Sequence, residues 1–208
     1  MANIKNLLLD MGGVILDVDY NKIAEVFDTY GIDAKSLYTQ KTQLPLIDNF
    51  EIGKISPAEF RDGIRDLVKK QLSNEQIDSA WNSMIGNVRT DTIKLLGKLK
   101  LHYEKILLYS NTNEIHMNFV RKLFYDTIGF DVFTLLFDKS YFSNEIHLRK
   151  PHKESFLWIL NDADIKAEET LFIDDTVKNI EGAESIGLNT YLLECPQTLI
   201  DLHNSNII

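Results

Sequence analysis

Four stretches of this 208-residue chain end in side chains able to hold or transfer an anion. Asp10 closes an apolar run and is followed by Gly12 and Gly13. Ser110 and Asn111 close a second run, Lys150 precedes Pro151, and the pair Asp174–Asp175 closes a further one. A carboxylate at the end of a fully apolar run is costly unless it is paired or bound to a metal. Two adjacent carboxylates repel each other unless a cation compensates, and a hard divalent ion with oxygen ligands is the natural compensator. Two acidic clusters, a hydroxyl and a lysine therefore predict convergence on a metal-bound phosphate.

Each group has a plainer alternative. Asp before Gly is common in turns. Ser110–Asn111 suits a helix N-cap, a role compatible with holding phosphate at a helix start. A lysine is most often a solvated surface residue. The acidic pair has the weakest alternative of the four.

The elements that must position these groups follow from periodicity. Continuous apolar runs at 5–10, 105–110, 170–174 and 189–193, with a weaker one at 134–137, predict buried parallel strands. Helical patterns at 92–101, 114–124, 153–160 and 177–186 separate them. Alternation of strand and helix predicts an α/β fold with an open, Rossmann-like parallel sheet and right-handed crossovers. In such sheets ligands bind beyond the carboxyl ends of the strands, where the four stretches fall.

Residues 20–84 break the alternation. A helix over 22–30 is stopped by Gly31. Ser56–Pro57–Ala58–Glu59 combines an N-cap, a proline at the first helical position and a capping-box Glu. Ser73 with Gln76 repeats the device, and a polar stretch, 37–54, precedes them. The expected division is a core of 1–16 and 88–208 with an all-helical insert over 17–87. Asp17 and Asp19 read as a hinge and helix-start device.

Taken in order, these segments resemble the four motifs of haloacid dehalogenase-type hydrolases: Asp10–Met11–Gly12–Gly13–Val14, Ser110–Asn111, Lys150–Pro151, and Phe172–Ile173–Asp174–Asp175 with Asn179. The match covers nearly the whole chain, and the insert resembles the small helical cap of one subfamily. The resemblance implies Asp10 as nucleophile, and Mg²⁺ held by Asp10, Asp175 and the Gly12 carbonyl. It also implies phosphate bound by Ser110, Asn111 and Lys150. Asp174 would hold Lys150 or a metal-bound water, with Asn179 in support. The implied activity is Mg²⁺-dependent hydrolysis of a small phosphorylated metabolite, a sugar phosphate among the candidates, through an aspartyl phosphate.

One position departs from the pattern. Phosphatases of this kind usually carry an acid two residues after the nucleophile, and here that residue is Gly12. Its absence removes about 10²–10⁴-fold of acid–base assistance. The Asp-x-Gly-Gly-Val form is similar to a branch that includes sugar-1-phosphate phosphatases. Two other readings share the fold: a 2-haloacid dehalogenase, which needs no metal, and a catalytically attenuated binding protein.

Composition bounds the rest. Asp and Glu number 31 against 22 Lys and Arg, a formal charge of -9, which disfavours nucleic acid and anionic membranes as partners. A single cysteine, Cys195, precludes an internal disulfide, fits a reducing, cytoplasmic setting and reads as a small apolar filler near the last strand. The run at 5–10 reads as a strand rather than a signal peptide, and no apolar run reaches the roughly 20 residues of a membrane span. The five histidines, His102, His116, His147, His152 and His203, lack metal-ligand spacing and read as surface or boundary residues. Trp81 and Trp158 read as packing. The sequence specifies no oligomeric state.

Overall fold

The computed structural model describes residues 4–32 and 44–208. Among these residues there are seven strands: β1 Asn6–Leu9, β2 Leu16–Val18, β3 Ile85–Val88, β4 Lys105–Ser110, β5 Lys139–Phe142, β6 Thr170–Asp174 and β7 Asn189–Leu192. Before α5 Thr90–Leu99 come α1 Asn21–Thr29, α2 Pro45–Glu51, α3 Pro57–Val68 and α4 Asn74–Asn82. After it come α6 Glu114–Ile128, α7 Val132–Leu135, α8 Ser143–Ile146, α9 Lys153–Asp162, α10 Val177–Glu184 and α11 Leu199–Asn204.

Five strands form one sheet in the order β5-β4-β1-β6-β7, every pair parallel. Alternation along the strands divides the core between two faces. Leu7, Leu9, Ile106, Leu108 and Ile173 pack with α5, α6 and α11. Leu8, Leu107, Tyr109 and Phe172 pack with Phe156 and Ile159 of α9 and with Ile180 and Ala183 of α10. The chain leaves β1 toward β4 and β5, then returns to β6 on the opposite side. The order therefore reverses between β1 and β6, the crevice where such sheets bind ligands.

Among the described residues of 20–84 there are four helices and no strand. They bury their own apolar cluster, including Phe27, Phe50, Phe60, Ile64, Ile77 and Trp81, with Ile115 of α6. Phe50 stacks on Phe60 at 4.3 Å, and Phe60 meets Trp81 at 4.8 Å. Both capping boxes form, at Ser56 with Glu59 and at Ser73 with Gln76. The polar stretch expected at 37–54 lies outside the described residues as far as residue 43.

Three expectations need correction. The run at 134–137 is not a strand: the Asp131 side chain accepts from Phe133 N–H and starts α7. Phe133 and Phe137 are buried four residues apart, a helical spacing, and the edge strand is β5 instead. The roots of the insert are not helical, because β2 and β3 pair as an antiparallel ribbon across the expected boundaries at 16/17 and 87/88. Cys195, expected as an apolar filler near the last strand, is exposed.

Arg89 ties that ribbon to the first loop. Its Nε donates to Asp17 Oδ1 at 2.7 Å, and a terminal nitrogen donates to the Gly13 carbonyl at 2.6 Å. Asp19 Oδ1 accepts from Asn21 N–H at 3.1 Å at the start of α1.

Candidate active site

Asp10 follows β1 and Asp174 ends β6, so the two carboxylates flank the crevice from adjacent strands. Lys150 reaches between them, wholly buried. Its Nζ donates to Asp10 Oδ1 at 2.6 Å, Asp174 Oδ2 at 2.7 Å and the Tyr109 carbonyl at 3.0 Å. All three ammonium protons are thus used. The rings of Tyr109 and Phe172, 5.2 and 5.6 Å from Nζ, wall the charge from solvent. Burial alone would lower the Lys150 pKa, but the two carboxylates outweigh it and hold the ammonium above its ordinary value.

Burial pushes the Asp10 carboxyl up to about 7 against the pull of Lys150, with Asp174 and Asp175 adding to the rise. Its Oδ2 accepts no hydrogen bond among the described residues. Asp174 is saturated by contrast, accepting from Lys150, from Thr176 N–H at 2.8 Å and from Asn179 Nδ2 at 3.0 Å. Asp175 accepts from the Thr176 hydroxyl at 3.1 Å, and burial followed by the Asp174 charge raises its pKa.

The loop geometry explains two glycines. Gly13 has a φ of +69°, and a Cβ there would collide with the Asp175 carboxylate. Gly182 lets α10 pass directly over the Pro151 carbonyl, which a side chain would strike. Gly12 has no positive φ, and its carbonyl accepts no hydrogen bond among the described residues.

The second motif is positioned differently from its sequence reading. The N-cap of α6 is Asn113, whose side chain accepts from His116 N–H at 3.0 Å, so Ser110 and Asn111 do not serve as caps. The Asn111 amide is spent on Lys150, donating to its carbonyl and accepting from its N–H, both at 3.0 Å. That pair locks the lysine loop to the end of β4 and leaves Ser110 with a hydroxyl beside the crevice.

These groups line one cleft of about 370 Å³ that also includes Gly12, Met84, Ile85 and Lys178. Asp48 and Glu51 of α2 enter it from the insert and pair with Arg149, Glu51 at 3.0 Å. One carboxylate oxygen each from Asp10, Asp174 and Asp175 lie within 4.8 Å of one another. Three carboxylates face one lysine charge, so a divalent cation suits the donor set.

His116, read as a boundary residue, is a buried part of this cleft. Its ring stacks on Trp81 at 5.2 Å and 1°, and its Nδ1 lies 2.8 Å from Asn82 Oδ1. No spacing signal could have found it, because its partners come from α4, 34 positions away for Asn82.

Fold and site together define a class, hydrolases with a Rossmann-like parallel sheet that gather carboxylates and a lysine at its switch point. The chain belongs to the haloacid dehalogenase-like hydrolase family, whose model matches residues 4–187. It is 31% identical over 189 residues to a D-ribitol-5-phosphate phosphatase of Bacteroides thetaiotaomicron, covering 90% of this chain and 91% of the relative. A sesquiterpene phosphatase of Aspergillus oryzae is 26% identical over 88% of this chain and 87% of its own. Among solved structures, a variant of a haloacid dehalogenase family enzyme from Bacteroides thetaiotaomicron, in complex with magnesium and inorganic phosphate, superposes with a TM-score of 0.91. That match is 37% identical and covers 96% of this chain and 98% of the other.

Proposed function

We propose that this chain is a magnesium-dependent phosphatase that hydrolyses a small phosphorylated metabolite through a phosphorylated Asp10. The observation that carries the reading is the Asp10 carboxylate. One oxygen is held by a buried lysine, and the other has no hydrogen-bond partner among the described residues. The related enzyme structure with magnesium and inorganic phosphate supports the same assignment.

In the first step Asp10 Oδ2 attacks phosphorus and the bond to the leaving oxygen breaks. Lys150 holds Asp10 in place and offsets negative charge in the crevice. The Ser110 hydroxyl orients a phosphoryl oxygen, and Asn111 acts by fixing the Lys150 loop. With Gly12 in place of an acid, water delivers the proton to the leaving oxygen. Water then attacks the phosphorus of the aspartyl phosphate, restoring the carboxylate and releasing phosphate. Asp10, Asp175 and the Gly12 carbonyl would hold Mg²⁺, with Asp174 and Asn179 behind them. Bound there, the ion would supply positive charge to offset that of the phosphoryl group.

The division proposed is a core of residues 1–16 and 88–208 and a cap of 17–87, jointed at the β2–β3 ribbon and closing over the cleft to exclude water. The separate apolar cluster of α1–α4 supports it. The substrate favoured is a sugar or sugar-alcohol phosphate, supported by the D-ribitol-5-phosphate phosphatase relative. A cleft of about 370 Å³ lies near the small end of the ~300–1,000 Å³ range of ligand pockets. No helix among the described residues is long and apolar enough to cross a membrane. With one cysteine and a charge of -9, a cytoplasmic setting without nucleic-acid or membrane partners is the favoured one.

The test is a panel of phosphorylated metabolites with and without Mg²⁺, with phosphate and halide release both measured. Metal-dependent phosphate release that vanishes in Asp10→Asn is the expected result. Chloride release from a 2-haloacid that survives chelation would replace this reading with a dehalogenase.

A further inference from the structure

The cleft is asymmetric in its hydrogen-bonding chemistry. Its sheet end holds the buried Lys150 ammonium, whose charge attracts an anion, and presents the Ser110 hydroxyl. Its cap end presents acceptors, the carboxylates of Asp48 and Glu51 with their charge met by Arg149, and the ring of His116. A ligand that complements both ends has an anionic head and a body rich in hydroxyl donors.

The ring of His116 is held by two contacts. The indole of Trp81 lies parallel to its ring and fixes the plane. Asn82 Oδ1 can only accept, so Nδ1 carries the ring proton and Nε2 is left with its lone pair. Burial lowers the imidazole pKa to about 3, which keeps the ring neutral. Nε2 has no partner among the described residues, and the ring lines the cleft. A lone pair there repels phosphate oxygens and rewards an O–H.

We propose that His116 is a specificity-determining residue, its Nε2 accepting a hydrogen bond from a hydroxyl of the leaving group and so selecting polyhydroxylated monophosphates over alkyl ones. The proposal rests on the phosphatase reading. Ring neutrality and the Nδ1 proton both argue that His116 is an acceptor rather than a substitute for the missing acid at Gly12. Its partner Asn82 belongs to α4, so the reader of the hydroxyl is assembled only when the insert packs on α6.

The experiment compares kcat/KM for a pentitol 5-phosphate and n-pentyl phosphate in the natural protein, His116→Phe, His116→Gln and Asn82→Leu. Phe preserves stacking on Trp81 and removes the acceptor. The natural protein should prefer the pentitol ester, and the ratio of the two kcat/KM values should fall at least tenfold in His116→Phe, chiefly through KM. Gln, whose amide oxygen can accept, should restore part of the ratio, and Asn82→Leu should lower it. Near-ultraviolet circular dichroism confirms that each variant is folded. Turnover of both esters with the same ratio in the natural protein and His116→Phe overturns this proposal alone. Turnover of neither ester, with an aryl phosphate also untouched, overturns the phosphatase reading and this proposal with it.

Discussion

The ammonium of Lys150 lies 2.6 Å from a carboxylate oxygen of Asp10, a residue 140 positions earlier, and neither charge has free access to water. A buried charge that loses its partner is strongly destabilising, by about 3–5 kcal/mol. Lys150→Met should therefore lower stability by that amount in urea unfolding. It should also lower kcat by about 10²–10³-fold, as for loss of one electrostatic donor. Adding Asp174→Asn should recover part of the stability and none of the activity. Equal stabilities of Lys150→Met and the natural protein would refute the pairing argument.

Gly12 offers a separate handle on the chemistry. Its φ is not positive, and an added Cβ would meet Val18 Cγ2 at 3.1 Å, a contact that needs a shift of a few tenths of an ångström. Gly12→Asp should accelerate esters with poor leaving groups by about 10²-fold or more and aryl phosphates little. A plot of log kcat/KM against leaving-group pKa should be steep for the natural protein and flatter for the variant. Parallel plots would show that proton delivery does not limit the natural enzyme. Asp10→Asn should abolish turnover in either background.

Much of this site was legible because its residues end apolar strands. The runs at 5–10, 105–110 and 170–174 are apolar enough to be read as buried strands, and their last residues mark the crevice, whereas the run at 189–193 becomes β7, a half-buried edge strand away from it. The edge strand β5, Lys-Ser-Tyr-Phe, carries no such run, and the nearby apolar residues serve α7 and the turn after it. The β2–β3 ribbon escaped notice for a similar reason, its two strands spanning only three and four residues. His116 was invisible because packing between α4 and α6, rather than spacing, gives it its surroundings.

The three carboxylates around one lysine predict a metal-dependent stability. At a Mg²⁺ concentration about 100 times its Kd, binding should add ~2.7 kcal/mol. At roughly 2–4 °C per kcal/mol for a chain of this size, Tm should rise by about 5–11 °C. Asp175→Asn, which removes the least satisfied carboxylate, should show little of this rise. A Tm indifferent to Mg²⁺ and to chelator would count against a metal at this position.

His116 also sets an acid limit. Its folded pKa of about 3 lies below the ordinary 6.5, so the unfolded chain binds the extra proton first. The contribution of the neutral ring is complete above pH 6.5 and is lost progressively as pH falls toward 3. Its slope approaches about 1.4 kcal/mol per pH unit. His116→Gln lacks the titrating group. The stability difference between the natural protein and this variant should be constant from pH 7 to 8 and shrink steadily below 6.5. A difference that stays constant down to pH 4.5 would mean that the ring is freely protonated in the folded state.

The pairing of β1 with strands far along the chain has a consequence for biosynthesis. Asn6 registers with Lys105 on one side and Thr170 on the other, so Leu7, Leu8 and Leu9 leave the ribosome long before either partner exists. The helices of 20–84 emerge next and can bury most of their aromatic cluster against one another at once, with local contacts and little loop closure. The nascent chain therefore carries a nearly complete helical module behind a strand that has no partner until 105–110 has been made and keeps one open edge until 170–174 follows. Stalled chains ending near residue 100 should resist protease across 57–82 while the first ten residues remain open to cleavage and to chaperones.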